Sequence, residues 1–278
     1  MLRLIATRLL SALPNLAGVV VITFLLTRAL PGDPAAYFAG GAATQEAIAQ
    51  VRTQLGLDKP LLEQFFIYVA GLARGDMGLS LTTGQPVAQE LLARLPASLE
   101  LVLLALLLAC AIALPLGVLA ATRPGSWIDQ LCRLVTTAGV SLPTFFTGLL
   151  LAYVFYFLLG WAPSPMGRLD PMFSPPATVT GLYLVDAALA GDGAMWWASF
   201  KQLILPVLTM AIFVLAPIAR MTRASMLAVL SADFIRTARA SGLSASTVLV
   251  KYGLRNALLG FQLAQLVLLG LHASLLLR

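Results

Sequence analysis

The chain has 278 residues, of which 59% are hydrophobic and 11% charged, and its mean hydropathy is +0.90. That much apolar surface exceeds what a water-soluble core of this size conceals, which excludes an ordinary soluble domain and places the chain in a bilayer. A net charge of +6 raises the question of nucleic acid, but the cations follow membrane topology and form no single basic patch.

At the N-terminus, Arg3 and Arg8 precede an apolar run that continues to Leu26 without a small-residue cleavage site. It reads as an uncleaved first span over roughly 9 to 30. The next segment, Pro31 to Ala97, is too long for a turn and is predicted to fold. Helix formers run from Gln45 to Leu55, with Thr44 as a cap and Gly56 as a stop. Pro60 suits the first turn of a second helix, in which Leu62, Phe65, Phe66, Val69 and Leu72 make an apolar stripe closed by Gly75. Such a helix can lie along a membrane surface, and packing explains its aromatic residues better than a substrate box does.

Further spans are expected at roughly 98 to 121, 134 to 159, 202 to 219 and 257 to 276, the lengths needed to cross about 30 Å of hydrocarbon. With the N-terminus inside, the inner segments carry Arg123, Arg133, Arg220, Arg223, Arg236, Arg239, Lys251 and Arg255 against Asp129 and Asp233, and the outer segments are net acidic. This bias sets the orientation. Pro14, Pro115, Pro143, Pro206 and Pro217 fall within the spans, where a kink is tolerated only beside protein or a cavity. In SLPTFFTG, the residues Ser141, Pro143, Thr144 and Thr147 could border a transport pathway, with ordinary bundle packing as an equal alternative. The outer segment from Trp161 to Phe200 is dense in proline and glycine, and Trp161, Trp196 and Trp197 suit the water boundary.

The middles of the spans hold no Asp, Glu, Lys or Arg; Arg28 and Glu100 stand near span ends. This argues against an ion-coupled carrier, the function class that most needs charge at membrane depth. None of Lys59, Lys201 and Lys251 follows a glycine, so there is no phosphate-binding loop and no means of using ATP alone. Motifs for intramembrane hydrolysis are absent as well, and an enzyme is not expected. Cys110, Cys132 and His272 lack the spacing of a disulfide or metal site and read as packing.

Asp233 to Leu258 stands apart as a basic, helix-forming passage on the inner side. Asp233 can cap a short helix with Phe234, Ile235 and Ala238 on one side and Arg236 and Arg239 on another. Gly242 permits a left-handed corner, and Ser244 can cap a second helix running toward Tyr252. The positive-inside rule needs the arginines but not this helix, glycine, helix arrangement.

DFIRTARASGLS followed by LRNALL resembles the coupling loop of membrane subunits of ABC importers, in the version found in dipeptide, oligopeptide and nickel permeases of the first-subunit type. Upstream, PGDP at Pro31, LGLDKP at Leu55, GDMGLS at Gly75 and PVAQELLARLPASLEL at Pro86 resemble the same branch in the same order. The resemblance implies an all-α polytopic helical bundle of a bacterial inner membrane. Its parts would be a first span to residue 30, a periplasmic helical segment over 31 to 97, and a transmembrane core over 98 to 278 with a cytoplasmic loop at 220 to 256. It implies that Asp233, Phe234, Arg236, Thr237, Ala238, Arg239, Gly242 and Leu243 couple the chain to an ATPase subunit. The implied partners are a second permease, two ATP-binding subunits holding ATP and Mg, and a periplasmic or lipid-anchored solute-binding protein; no cofactor or metal is expected in this chain. Peptides are the implied substrate, with nickel, glutathione or another small solute as the alternative, and an ion-coupled carrier or stand-alone channel from other classes.

Some positions depart from the pattern. Arg236 stands where the general motif has glutamate, as is usual in the peptide branch, Tyr252 where histidine is frequent, and Gly260 where proline is usual. Similar permeases have six spans, whereas about five fit here, so a C-terminus shortened by truncation or frameshift, with a loosely packed last span, is expected.

Overall fold

The computed structural model describes residues 2–29, 33–40, 43–80, 82–170 and 172–258. Among these the architecture is all-helical, apart from one isolated antiparallel bridge between Leu79 and Pro86. Two compact units emerge, Met1–Arg94 and Leu95–Arg278.

The first unit contains α1 (Leu2–Ala29), α2 (Pro34–Ala39), α3 (Gln45–Gln54) and α4 (Leu61–Ala73). Thr44 Oγ1 accepts the Ala47 N–H at 3.3 Å to start α3, and Gly56, at φ 64°, turns the chain after it. The apolar stripe expected on α4 is split. Phe65 and Tyr68 meet the buried Phe24 of α1 at ring-centroid distances of 5.3 and 5.8 Å, whereas Leu62 and Phe66 stay exposed. One turn along, Arg28 Nε donates to Gln64 Oε1 at 2.8 Å, and Gln64 Nε2 donates to the Lys59 carbonyl at 2.7 Å. Asp33 of PGDP starts α2 by accepting from Ala35 N and also receives Arg52 of α3, which holds its carboxyl below the usual carboxylate range.

The second unit holds most of α5 (Val87–Thr122), then α6 (Trp127–Ser141), α7 (Thr144–Leu151, continuing as a π-helical stretch over Ala152–Leu158), α8 (Tyr183–Leu189) and α9 (Gly193–Leu230). After them come α10 (Asp233–Ala240) and α11 (Ala245–Thr247), which passes into a π-helical stretch over Val248–Leu254 and remains helical to Leu258. With 36 and 38 residues, α5 and α9 are about 54 and 57 Å long, nearly twice the hydrocarbon thickness. The predicted spans cover only parts of them: 98 to 121 leaves out the first turns of α5, and 202 to 219 leaves out both ends of α9.

The stretch expected as a span over 134 to 159 is broken at Pro143: α6 and α7 are separate helices meeting at 101°. The cause is local: the residue before a proline is pushed out of the helical region, and Leu142 before Pro143 is extended at φ −98°, ψ 131°. The described residues thus contain three helices long and apolar enough to cross a membrane, or four spans if the bent pair counts as one. The fifth expected span, 257 to 276, lies outside the described residues after Leu258.

Small side chains pack the core. Ala109, Ala113 and Ala120 of α5 meet Ala211, Leu215 and Ala219 of α9, with Cys132 of α6 alongside. At Gly117 an added Cβ would stand 2.8 Å from Thr222 Cβ and 2.9 Å from the Ala219 carbonyl oxygen, so α5 and α9 approach more closely than any side chain there allows.

Candidate functional site

The α10 segment is short and strongly amphipathic in its placement. Ile235 and Ala238 are buried and pack with Val248, Val229 and Tyr252, which fixes α10 against the end of α9 and the start of the next helix. Asp233, Phe234, Arg236, Thr237 and Arg239 face outward. Two expectations are corrected here. Phe234 does not share the burial of Ile235 and Ala238; although it stands one turn before Ala238, it lies outside the cluster that those two form with Val248, Val229 and Tyr252 and is 45% exposed. Asp233 is not the cap but the first helical residue: the cap position is Ala232, without a side-chain bond, and Asp233 Oδ1 accepts from Arg236 Nη1 at 3.4 Å. Its charge still opposes the helix dipole at the correct end.

Gly242, at φ 76°, makes the expected corner. Its N–H donates to the Arg239 carbonyl at 3.0 Å, and the Leu243 N–H reaches back to the Ala238 carbonyl at 3.4 Å, closing the end of α10. Ser244 Oγ then accepts the Thr247 N–H at 3.3 Å and starts α11. Arg239 and Leu243 border a cleft of about 580 Å³ whose other walls include Thr122 and Pro124 after α5 and Leu230 at the end of α9. The segment thus presents an outer aromatic residue, two outward arginines and a fixed corner, anchored by a three-residue apolar core.

The four pathway candidates are gathered at the break between α6 and α7. Ser141, Pro143 and Thr144 are exposed, and Thr147 is half-buried. Ser141 Oγ donates to the Thr137 carbonyl at 2.7 Å, while Thr147 Oγ1 donates to the Pro143 carbonyl at 3.4 Å. These hydroxyls serve backbone groups beside the break, and α7 packs along α9 with Gly148 against Thr209.

Two charge clusters went unnoticed in the sequence because each joins residues far apart in the chain. Asp129 of α6 is fully buried and receives Arg223 Nε of α9 at 2.5 Å, Arg133 Nη2 at 3.1 Å and the Gly125 N–H at 3.0 Å. Glu100 of α5 is also buried; it receives Arg168 Nη2 at 2.7 Å and the Leu184 N–H at 2.8 Å, while the Arg168 guanidinium lies 3.7 Å from the Tyr183 ring centroid. The connection before α8 is therefore fastened to α5. The only available signal was that both acids lie near arginine-bearing segments.

Residues 113–270 match the family described as binding-protein-dependent transport system inner membrane component, and residues 1–102 match its N-terminal counterpart. The chain belongs to that family. Among similar proteins, a probable D,D-dipeptide transport system permease of Escherichia coli K12 is 47% identical, over 87% of this chain and 71% of its own length. A di/tripeptide transport system permease of Pseudomonas aeruginosa is 43% identical over 93% of this chain and 77% of its length. A glutathione transport system permease of Escherichia coli is 38% identical over 93% and 75%. This family member is a membrane-embedded transport component, and the loop from α10 to α11 lies within the matched region.

Proposed function

We propose that the chain is the membrane-spanning permease subunit of an ATP-driven importer of short peptides, and that α10 with its glycine corner is its contact with an ATPase subunit. The observation that carries this reading is the outward face of α10, with Phe234, Arg236 and Arg239 exposed while Ile235 and Ala238 are anchored in the second unit. A partner pressing on that face would move the ends of α9 and the following helix together, because Val229 and Val248 pack in the same cluster. Rocking of these helices would alternate access to a pathway shared with a second permease. Peptide as cargo follows from the peptide permeases among its relatives, and a glutathione permease at 38% identity favours a second reading, glutathione.

Under this proposal the N-terminus is cytoplasmic, about five spans cross an inner membrane and the helices over 31 to 97 face the periplasm. Two ATP-binding subunits carry ATP and Mg and do the hydrolysis, so the chain itself needs no cofactor and is not an enzyme. A solute-binding protein delivers the cargo, and Ser141, Pro143, Thr144 and Thr147 border the pathway. The test is co-purification of the ATPase subunits with the wild-type chain and with Phe234 to Gly242 replaced by a flexible linker. Capture by wild type alone is expected; equal capture by both would remove α10 from the contact.

A further inference from the structure

At the N-terminal end of α9, a pocket of about 230 Å³ lies between the turn containing Pro163, Pro165 and Gly167 and the helix residues Lys201, Gln202 and Pro206. Its polar equipment is unusual for a packing defect. Gln202, which lines the pocket, is 7% exposed, yet its side-chain amide has no hydrogen-bond partner among the described residues. Pro206 has no N–H, so the Gln202 carbonyl lacks the donor that an α-helix ordinarily supplies four residues later. One turn before Gln202, the buried Ser199 Oγ has no partner either. Lys201 brings the charge; its Nζ stands 6.0 Å from the Trp197 ring centroid, beside Trp197 and Phe200 rings stacked at 5.6 Å.

An unpartnered amide on a largely buried side chain, a helix carbonyl without its usual donor and a cation on the same pocket describe a site suited to a ligand carrying negative charge and hydrogen-bonding groups of both kinds. A carboxylate would face Lys201, an adjacent carbonyl oxygen could accept from the Gln202 amide, and an N–H could donate to the Gln202 carbonyl. The C-terminal end of a short peptide offers this combination. We propose that Lys201 and Gln202 form a binding site for the C-terminal carboxylate and last peptide group of the cargo at the outer mouth of the pathway. The inference rests on the peptide reading above and on the orientation that puts the start of α9 outside.

The test uses the assembled transporter with its ATPase and solute-binding partners, and two probes, L-alanyl-L-alanine and its C-terminal amide, which lacks the carboxylate. For each probe, uptake by a variant is divided by uptake by wild type, which cancels any preference imposed by the solute-binding protein. Lys201→Met is expected to raise the half-saturating concentration of the acid about tenfold and leave that of the amide unchanged, with Lys201→Arg restoring the acid. Gln202→Glu, nearly isosteric, is expected to weaken the acid more than the amide. Equal losses for both probes would mean a structural role or a contact with the solute-binding protein, and would overturn the site, as would no loss for either. Absence of acid uptake by wild type would instead overturn the peptide reading, and the site with it.

Discussion

Arg223 of α9 reaches Asp129 of α6 with two nitrogens, Nε to Oδ1 at 2.5 Å and Nη2 to Oδ2 at 3.0 Å, although 94 residues separate them in the chain. The acid is completely buried and also binds the Gly125 N–H, so one carboxylate joins the connection before α6 to the cytoplasmic half of α9 in the proposed topology. Removing one member of a buried pair leaves the other uncompensated, at a cost of about 3–5 kcal/mol.

Asp129→Ala is therefore expected to lower the thermal midpoint of the detergent-solubilised protein by several degrees. The double variant Asp129→Leu with Arg223→Met should recover much of the loss, because an apolar pair leaves no stranded charge. Unfolding curves of the single and double variants check this; a double variant as unstable as the sum of the singles would contradict it.

At α10, reversing Arg236 and Arg239 to glutamate should weaken ATPase capture about tenfold or more at low salt, with the difference shrinking as salt rises. Both side chains are exposed, so the fold should survive. Affinity measured at two ionic strengths decides the matter: unchanged binding would release these arginines from the contact.

Gly242→Ala keeps the size nearly constant but places a Cβ at φ 76°, which costs about 1–2 kcal/mol. We expect the α10 to α11 corner to loosen, so that ATP hydrolysis continues while transport per ATP falls. Gly242→Asn should be milder, since asparagine tolerates this conformation. Uptake and hydrolysis measured on the same preparation separate uncoupling from misfolding.

Asp186 in α8 supplies a pH prediction. Burial pushes its carboxyl up, but the Thr180 hydroxyl and the N–H groups of Thr180, Gly181 and Val179 outweigh that, and its acidity ends below the ordinary carboxylate value. A group depressed in the folded state contributes stability above its unfolded value, near pH 3.9, and loses it as pH falls through the folded value. Limited acid proteolysis should therefore expose the connection around Thr180 only below about pH 4. Asp186→Asn should expose it at pH 7 and flatten the dependence.

Much of this protein is legible in its sequence. Thr44, Gly56, Gly242 and Ser244 act where their local chemistry predicted, because a cap or a positive φ is decided by a few neighbouring atoms. The same holds for the membrane assignment and the apolar stretches of α5 and α9, which follow from runs of apolar residues. Phe234 shows where local reasoning fails. Its apolar character suggested the buried side, but the direction of burial on α10 is chosen by Val229, Val248 and Tyr252, and they lie elsewhere in the chain.

The break at Leu142 was half legible, since Pro143 announced a disturbance but the angle of 101° depends on how α6 and α7 each settle against α9. Asp129 with Arg223, Glu100 with Arg168, and the unpartnered Gln202 over its pocket belong wholly to the tertiary structure. Composition, periodicity and caps are properties of adjacent residues and survive in a linear reading. Ion pairs and cavities arise only when packing removes water from groups that are distant in the chain, and so only the folded structure decides them.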